Sequence, residues 1–72
     1  MFEEKIIVDD IKYKVYFKFA FLDNIYYACK FKQNEAKYTY IRINDLKDEY
    51  IIEKNNIVIE RLNEKADIIS NS

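Results

Sequence analysis

The sequence predicts a small β-rich domain, either all-β or α+β, built on a four-stranded antiparallel meander. Apolar and polar residues alternate from Ile11 to Phe21 and again from Ile25 to Gln33, which is the pattern of strands with one buried face. The composition agrees, because half of the 72 residues are hydrophobic, with seven tyrosines and five phenylalanines among them. Large aromatic side chains allow a chain of this length to fill one core, so we expect a single domain over residues 1–72.

The first two strands are expected to meet at a tight turn. Residues 9–10 between them are both aspartate, and because the chain has no glycine or proline, its turns must be made by asparagine, aspartate and their neighbours. Such a turn pairs Val8 with Ile11 and Ile6 with Tyr13, which places the apolar residues of both strands on one face.

The second and third strands are expected to be joined by a three-residue loop at residues 22–24. Asn24 is the residue in this loop that tolerates a positive φ angle. The loop pairs Phe21 with Ile25, and further along Val15 with Phe31, so that the apolar residues of both strands share one face. A two-residue loop would instead turn lysines towards the core.

The fourth strand is expected after a second three-residue loop, at residues 34–36. Its apolar positions then lie opposite those of the third strand: Thr39 opposite Phe31, Ile41 opposite Cys29, and Ile43 opposite Tyr27. Residues 1–43 thus form the meander, and its open aromatic face requires a cover.

Residues 44–69 are expected to supply that cover. Residues 44–49 resemble a capped turn of helix, because acidic residues lie close together there and favour a helix N-terminus. Residues 70–72 are expected to be a frayed end.

The remainder of the covering segment allows two structures. We favour a hairpin in which residues 50–54 and 57–61 flank a turn at Asn55 and Asn56. The alternative is a helix over residues 57–69, where apolar residues recur at helical spacing. If strands follow the helical turn, the layout resembles that of SH3-like small barrels, a resemblance of topology that implies no function.

The core is expected to consist of apolar side chains from the four strands. Its members are Ile6, Val8, Val15, Phe17, Phe19, Phe21, Ile25, Tyr27, Phe31, Ile41 and Ile43. Cys29 is the single cysteine, and we expect it to be a small buried hydrophobic residue. One cysteine allows no internal disulfide, which argues against a secreted, disulfide-stapled protein.

Missing residue types exclude most familiar catalytic sites. The chain has no histidine, which is the commonest metal ligand and general base at neutral pH. It also has no glycine, so neither a phosphate-binding loop nor an EF-hand is expected. We therefore expect no enzyme, no metal site and no cofactor. No apolar run reaches the roughly 20 residues of a membrane span, so a cytoplasmic protein without membrane contact is expected.

The outward face of the sheet is the candidate binding surface, because tyrosines and cations alternate there across neighbouring strands. The candidate residues are Lys14, Tyr16, Lys18, Lys30, Lys32, Tyr38, Tyr40 and Arg42. Charge is divided to match, since residues 11–43 carry a net charge of +5, whereas residues 1–10 and 44–72 carry −3 each. The alternative is an ordinary solvated sheet face, on which lysine and tyrosine are common.

The leading functional hypothesis is a small non-enzymatic protein that occludes or bridges a macromolecular partner, in the first place a protein. Tyrosine is enriched at such interfaces. Small size and a composition rich in Ile, Lys and Asn suggest a phage or mobile-element accessory protein, for instance an inhibitor of host defence. The alternative is a nucleic-acid-binding module with cations on phosphates and rings under bases. A homodimer through the tyrosine face or a free edge strand is a further possibility.

Overall fold

The computed structural model describes residues 4–44 and 46–71. These residues form β1 (Lys5–Val8), β2 (Ile11–Phe21), β3 (Asn24–Lys30), β4 (Thr39–Asn44), β5 (Glu49–Ile52) and α1 (Asn56–Ser70). The strands pair in the order β1-β2-β3-β4-β5, each antiparallel to its neighbour. The predicted meander is therefore confirmed, and the covering segment adds a fifth strand and a helix.

The sheet curls around one of two apolar clusters. The first cluster, which we call the inner core, is centred on Ile6, Tyr13, Cys29 and Ile41 and is joined by Ile52. Because β1 and β5 are the two edges of the sheet, side chains from both edges can meet in one cluster only if the sheet bends around it. The result is a nearly closed barrel, consistent with an SH3-like small β domain. We call this concave side the inner face.

The second cluster lies on the opposite, outer face and is covered by α1. Phe19, Tyr26 and Tyr40 from the sheet pack there against Leu62 and Ala66 of the helix. The two helical residues are four positions apart, so they lie on one face of α1. The sheet is thus buried on both sides over part of its area, which explains why β3 carries apolar residues at successive positions.

The first turn has the predicted structure. Asp9 and Asp10 both have positive φ angles, of 51° and 65°, as a two-residue hairpin turn requires. Val8 pairs with Ile11. The predicted register of the first hairpin is therefore confirmed.

The predicted register of the second hairpin is wrong by one residue. The turn contains two residues, Leu22 and Asp23, at φ angles of 49° and 62°, and Phe21 pairs with Asn24 rather than with Ile25. A register shift between Val15 and Phe17 marks a β-bulge at Tyr16 in β2. The extra residue reverses the alternation, so that the odd-numbered residues of β2 face the inner core before the bulge and the helix after it.

The predicted core changes with this register. Phe17, Phe19 and Phe21 pack on the outer face under the helix rather than beside Tyr27. Ile25 and Phe31 were expected in the core but are 49% and 53% exposed. In exchange, the core gains residues that were not predicted for it: Tyr13, Tyr26, Ala28, Tyr40, Leu62 and Ala66.

The third and fourth strands pair with a shift of two residues from the prediction. Ile41 lies opposite Tyr27 and Thr39 lies opposite Cys29. Because side chains alternate with a period of two, a shift of two leaves each of them on its predicted face. The connection is longer than expected, since β3 ends at Lys30 and β4 begins at Thr39.

Residues 50–61 do not form the favoured hairpin, and the helical alternative is correct. Asn55 is the N-cap of α1, and its side-chain oxygen accepts hydrogen bonds from the backbone N–H groups of Ile57 (3.0 Å) and Val58 (3.4 Å). Residues 50–52 form part of β5 instead, where Ile52 pairs with Ile41. The asparagine at position 55 therefore starts a helix rather than turning a hairpin.

The predicted helical turn before β5 is an ordinary turn where the structure describes it, at residues 46–48. The side chain of Asn44 accepts a hydrogen bond from the backbone N–H of Leu46. Asp45, which belonged to the same prediction, lies outside the described residues. Ser70 is the last residue of α1 rather than part of a frayed end, and Ser72 lies outside the described residues.

The capping role of Asn55 can be tested by comparing neighbouring asparagines. Replacing Asn55 by alanine removes the acceptor of two helix N–H groups and should lower the free energy of unfolding by about 1 kcal/mol. Asn56→Ala is the matched control and should be close to neutral, because this residue is exposed within the first turn of the helix. Urea unfolding followed by circular dichroism measures both. Equal losses for the two variants would contradict the cap.

Packing of α1 on the outer face gives a second test. Leu62→Ala should cost about 2 to 5 kcal/mol, because this side chain is fully buried beneath the sheet aromatics. Ile68→Ala on the same helix is the control, and it should change stability by less than about 1 kcal/mol because Ile68 is largely exposed. Thermal melts that show the same loss for both variants would place the helix elsewhere.

Candidate binding surface on the outer face

Three neighbouring strands bring lysines into one row on the outer face. Lys5 of β1 pairs directly with Lys14 of β2, which pairs directly with Lys30 of β3. Directly opposed residues of an antiparallel sheet project from the same face at a spacing of about 5 Å. The row is therefore a concentration of positive charge produced by strand register.

Two tyrosines lie beside this row. The ammonium nitrogens of Lys14 and Lys30 are each 5.3 Å from the centroid of the Tyr16 ring, and Lys30 is also 4.8 Å from that of Tyr38. The two rings meet edge to face, with centroids 5.9 Å apart. We call Lys14, Tyr16, Lys30 and Tyr38 the Lys–Tyr cluster. Tyr16 lies on the outer face because it is two residues after Lys14, and the bulge adds Phe17 to the same face.

The Lys–Tyr cluster is accessible and rich in cations. Tyr16 is 37% exposed, and Lys14, Lys30 and Tyr38 are half-buried. Among the residues that the structure describes, no carboxylate forms an ion pair with Lys5 or Lys30. Cation–π contacts of this kind stabilise a side-chain position without neutralising its charge. The ammonium group of Lys30 is therefore held over two rings and keeps its charge.

Tyr40 was expected on the exposed face, and this expectation is wrong. It is 2% exposed beneath α1, where its hydroxyl donates a hydrogen bond to the Asn63 Oδ1 at 2.6 Å. Burial raises the pKa of Tyr40 to about 12, with smaller contributions from the charges of Asp67 and Tyr38. The outer face includes Tyr40 as predicted, but the helix removes it from any binding surface.

Lys18 is also misplaced by the sequence prediction. It pairs with Tyr27 after the bulge, and this pair lies on the inner face. Lys18 is therefore on the side of the sheet opposite to Lys14 and Lys30. Its exposure is retained because the inner core does not extend to this end of β2.

Arg42 and Lys32 lie outside the cluster. Arg42 is on the outer face, but its Nε is 3.9 Å from Glu53 Oε1, which also accepts a hydrogen bond from the hydroxyl of Tyr26 at 2.9 Å. Arg42 thus helps to fix the segment before α1. Lys32 follows the end of β3, with its ammonium 6.0 Å from the Phe31 ring centroid.

Lys5 is the surface residue that the sequence prediction missed. The signal was present, because the predicted turn that pairs Ile6 with Tyr13 also pairs Lys5 with Lys14. Periodicity alone gave no reason to include a residue of the acidic N-terminal segment in a basic surface.

Among the residues that the structure describes, the cysteine is buried and no metal-binding group is found. Cys29 is fully buried, and burial, followed by the nearby charge of Glu4, raises the pKa of its thiol to about 12. Residues 4–44 and 46–71 hold no group of three cysteine, aspartate or glutamate side chains suited to a metal ion. In the same residues, no helix has the length and apolar character needed to cross a membrane.

Comparisons with known proteins give no match: no family model fits the chain, and no curated protein or solved structure is similar to it. The geometry of the chain is therefore the basis for its functional assignment.

The buried thiol of Cys29 gives a testable prediction. At about pH 8 the native protein should react with a thiol reagent far more slowly than a free cysteine, because the thiol is both inaccessible and protonated. Unfolding in guanidinium should release full reactivity. The absorbance of the group released from the reagent measures the reaction rate of the native and of the unfolded protein. Rapid reaction of the native protein would contradict the placement of Cys29 in the inner core.

Proposed function

We propose that this chain is a small non-enzymatic binding protein that occludes or bridges a macromolecular partner through the Lys–Tyr cluster. The observation that supports this proposal is the position of Lys30, whose ammonium lies over both Tyr16 and Tyr38 and has no ion-pair partner among the described residues. The partner is a protein with an acidic surface. The chain itself is a cytoplasmic protein in this proposal.

The lysine row favours an anionic partner for an electrostatic reason. Like charges directly opposite each other in a sheet destabilise it, and Lys5, Lys14 and Lys30 occupy directly opposed positions. An acidic partner would offset this repulsion. The exposed position of the row also permits it to accelerate association through long-range attraction.

The cluster suits a protein better than single-stranded nucleic acid. Nucleic-acid stacking needs free ring faces, but Tyr40 is buried and the rings of Tyr16 and Tyr38 already contact lysine ammonium groups. The Tyr38 ring also packs edge to face against the Phe17 ring, with an interplanar angle of 76° and centroids 5.2 Å apart. The tyrosines therefore act mainly to hold the lysines in place.

Single-stranded nucleic acid is the second candidate partner. The feature that favours it is the row of lysines, which could follow successive phosphates, next to the partly exposed Tyr16. The net charge of −1 for the whole chain opposes strong binding to a polyanion.

In biological terms, the proposal describes an accessory protein, such as a phage or mobile-element inhibitor of host defence. Support for this part comes from the small size and from the composition rich in Ile, Lys and Asn. The proposed mode of action, occlusion of an acidic surface, requires no catalytic group on the chain.

Charge reversal within the cluster tests the proposal. Lys30→Glu should weaken partner binding by at least about tenfold, because it places a carboxylate opposite an acidic surface. Lys47→Glu is the matched control, since it makes the same charge change in the exposed turn before β5 and should leave binding unchanged. Immobilised wild-type and variant proteins are used to capture partners from host extract, and interferometry measures the affinity of each captured protein. Retention by Lys30→Glu would contradict the proposal.

A titration separates the two candidate partners. Fluorescence anisotropy with labelled thymidine and uridine oligonucleotides of about 20 nucleotides is measured at about 50 mM and about 200 mM salt. Affinity that falls steeply with salt and is lost in Lys30→Glu would establish the nucleic-acid candidate. No binding at low salt would exclude it and leave the protein partner.

A further inference from the structure

The end of the β2–β3 hairpin has an uncovered inner face. β1 lies beside β2 only at residues 11–14, whereas β2 continues to Phe21. A groove of about 430 Å³ lies along the uncovered part. Its apolar lining includes Ala20, Ile25, Tyr27 and Ile43. A groove of this volume is large enough to receive side chains of another molecule.

The apolar surface extends beyond the groove. Ile25 is 49% exposed and Tyr50 of β5 is 42% exposed. The ring of Tyr50 contacts that of Tyr27 edge to face, with centroids 6.3 Å apart. Contiguous apolar surface next to a groove is a common mark of an interaction site.

The hairpin tip holds a residue that suits neither its conformation nor its exposure. Leu22 has a φ angle of 49°, in the left-handed region where glycine, asparagine and aspartate are preferred. Its side chain is 68% exposed. The backbone conformation is unfavourable for leucine in the isolated chain. Because the side chain is also exposed, it has no evident packing role within the monomer.

Opposite charges line the same groove. Lys18 and Asp23 both contribute to its wall, both are exposed, and neither forms an ion pair among the described residues. The groove therefore carries one cation and one anion beside an apolar floor. A surface with both charges can be complementary to itself when two copies meet around a two-fold axis.

We propose that two copies of this chain associate through the inner faces of their β2–β3 hairpins. Leu22 of each copy enters the groove of the other, and Lys18 of each copy lies opposite Asp23 of the other. In this two-fold arrangement Leu22, Lys18, Asp23 and the groove of both copies all lie in the interface, as an isologous interface requires. A partner of different sequence would need to match both charges separately, which makes a second copy the better occupant.

The dimer is independent of the proposed partner-binding role. The Lys–Tyr cluster lies on the outer face, whereas the groove lies on the inner face. Variants of Lys30 should therefore leave self-association unchanged, and failure of one proposal does not affect the other.

The test measures mass against concentration by sedimentation equilibrium and light scattering. Wild-type protein should approach twice the 8.8 kDa monomer mass as concentration rises. Leu22→Asn should shift the association midpoint by at least about tenfold, while the melting temperature of the dilute monomer stays equal or rises because asparagine tolerates positive φ. Leu46→Asn is the control, since Leu46 is also highly exposed, and it should have no effect.

The charges are tested by a double-mutant cycle. Lys18→Glu should weaken association by about tenfold, because it faces Asp23 of the other copy with a like charge. Asp23→Asn should weaken association of the wild type but strengthen that of Lys18→Glu, because it removes the repulsion. Asparagine is chosen since it tolerates the φ angle at this position. A monomer at every concentration, a dimer insensitive to Leu22→Asn, or additive effects of the two charge variants would each overturn the proposal.

Discussion

The β-bulge at Tyr16 is the constraint on which both cores depend. Without it, an unbroken alternation would send every odd-numbered residue of β2, from Ile11 to Phe21, to one face, and the lysines, Tyr16 and Ala20 to the other. With it, Tyr13 and Val15 join the inner core while Phe19 packs under α1. One strand thereby supplies side chains to two clusters. A chain of 72 residues gains a second packed layer in this way, which matters because small domains bury a limited fraction of their surface.

The sequence was sufficient to predict the strands, the first turn and the β-rich class, because each depends on local signals. It was insufficient to predict which face each residue of β2 occupies. A bulge adds one residue to the strand, but Phe17, Phe19 and Phe21 still alternate with their neighbours in the sequence. The error spread to the binding face, where Tyr40 and Lys18 were misplaced. Lys14 and Lys30 both remain on the candidate surface, but the predicted register opposed Lys14 to Lys32, whereas the observed register opposes it to Lys30.

The choice between a hairpin and a helix after Asn55 depended on tertiary structure. Two adjacent asparagines are typical of a turn, and the Ile-rich residues that follow suit a strand as well as a helix. The outer face decides between them. Its aromatic side chains need an apolar cover, and a helix presents Leu62 and Ala66 on one side, whereas a two-stranded hairpin would offer its own alternating face to a sheet that already has five strands. Burial therefore overrides the local preference.

Lengths explain why both surfaces of interest are exposed. β2 has 11 residues, whereas β1 pairs only with its residues 11–14 and the 15 residues of α1 span about 22 Å. Neither element extends along the whole of β2, since α1 packs on part of the outer face and β1 pairs with part of the strand edge. On the outer face the uncovered part contains Lys14 and Tyr16, near the start of the strand. On the inner face it contains Lys18 and Ala20, near the end. Because the two surfaces lie on opposite sides of one strand, a molecule bound at one leaves the other open.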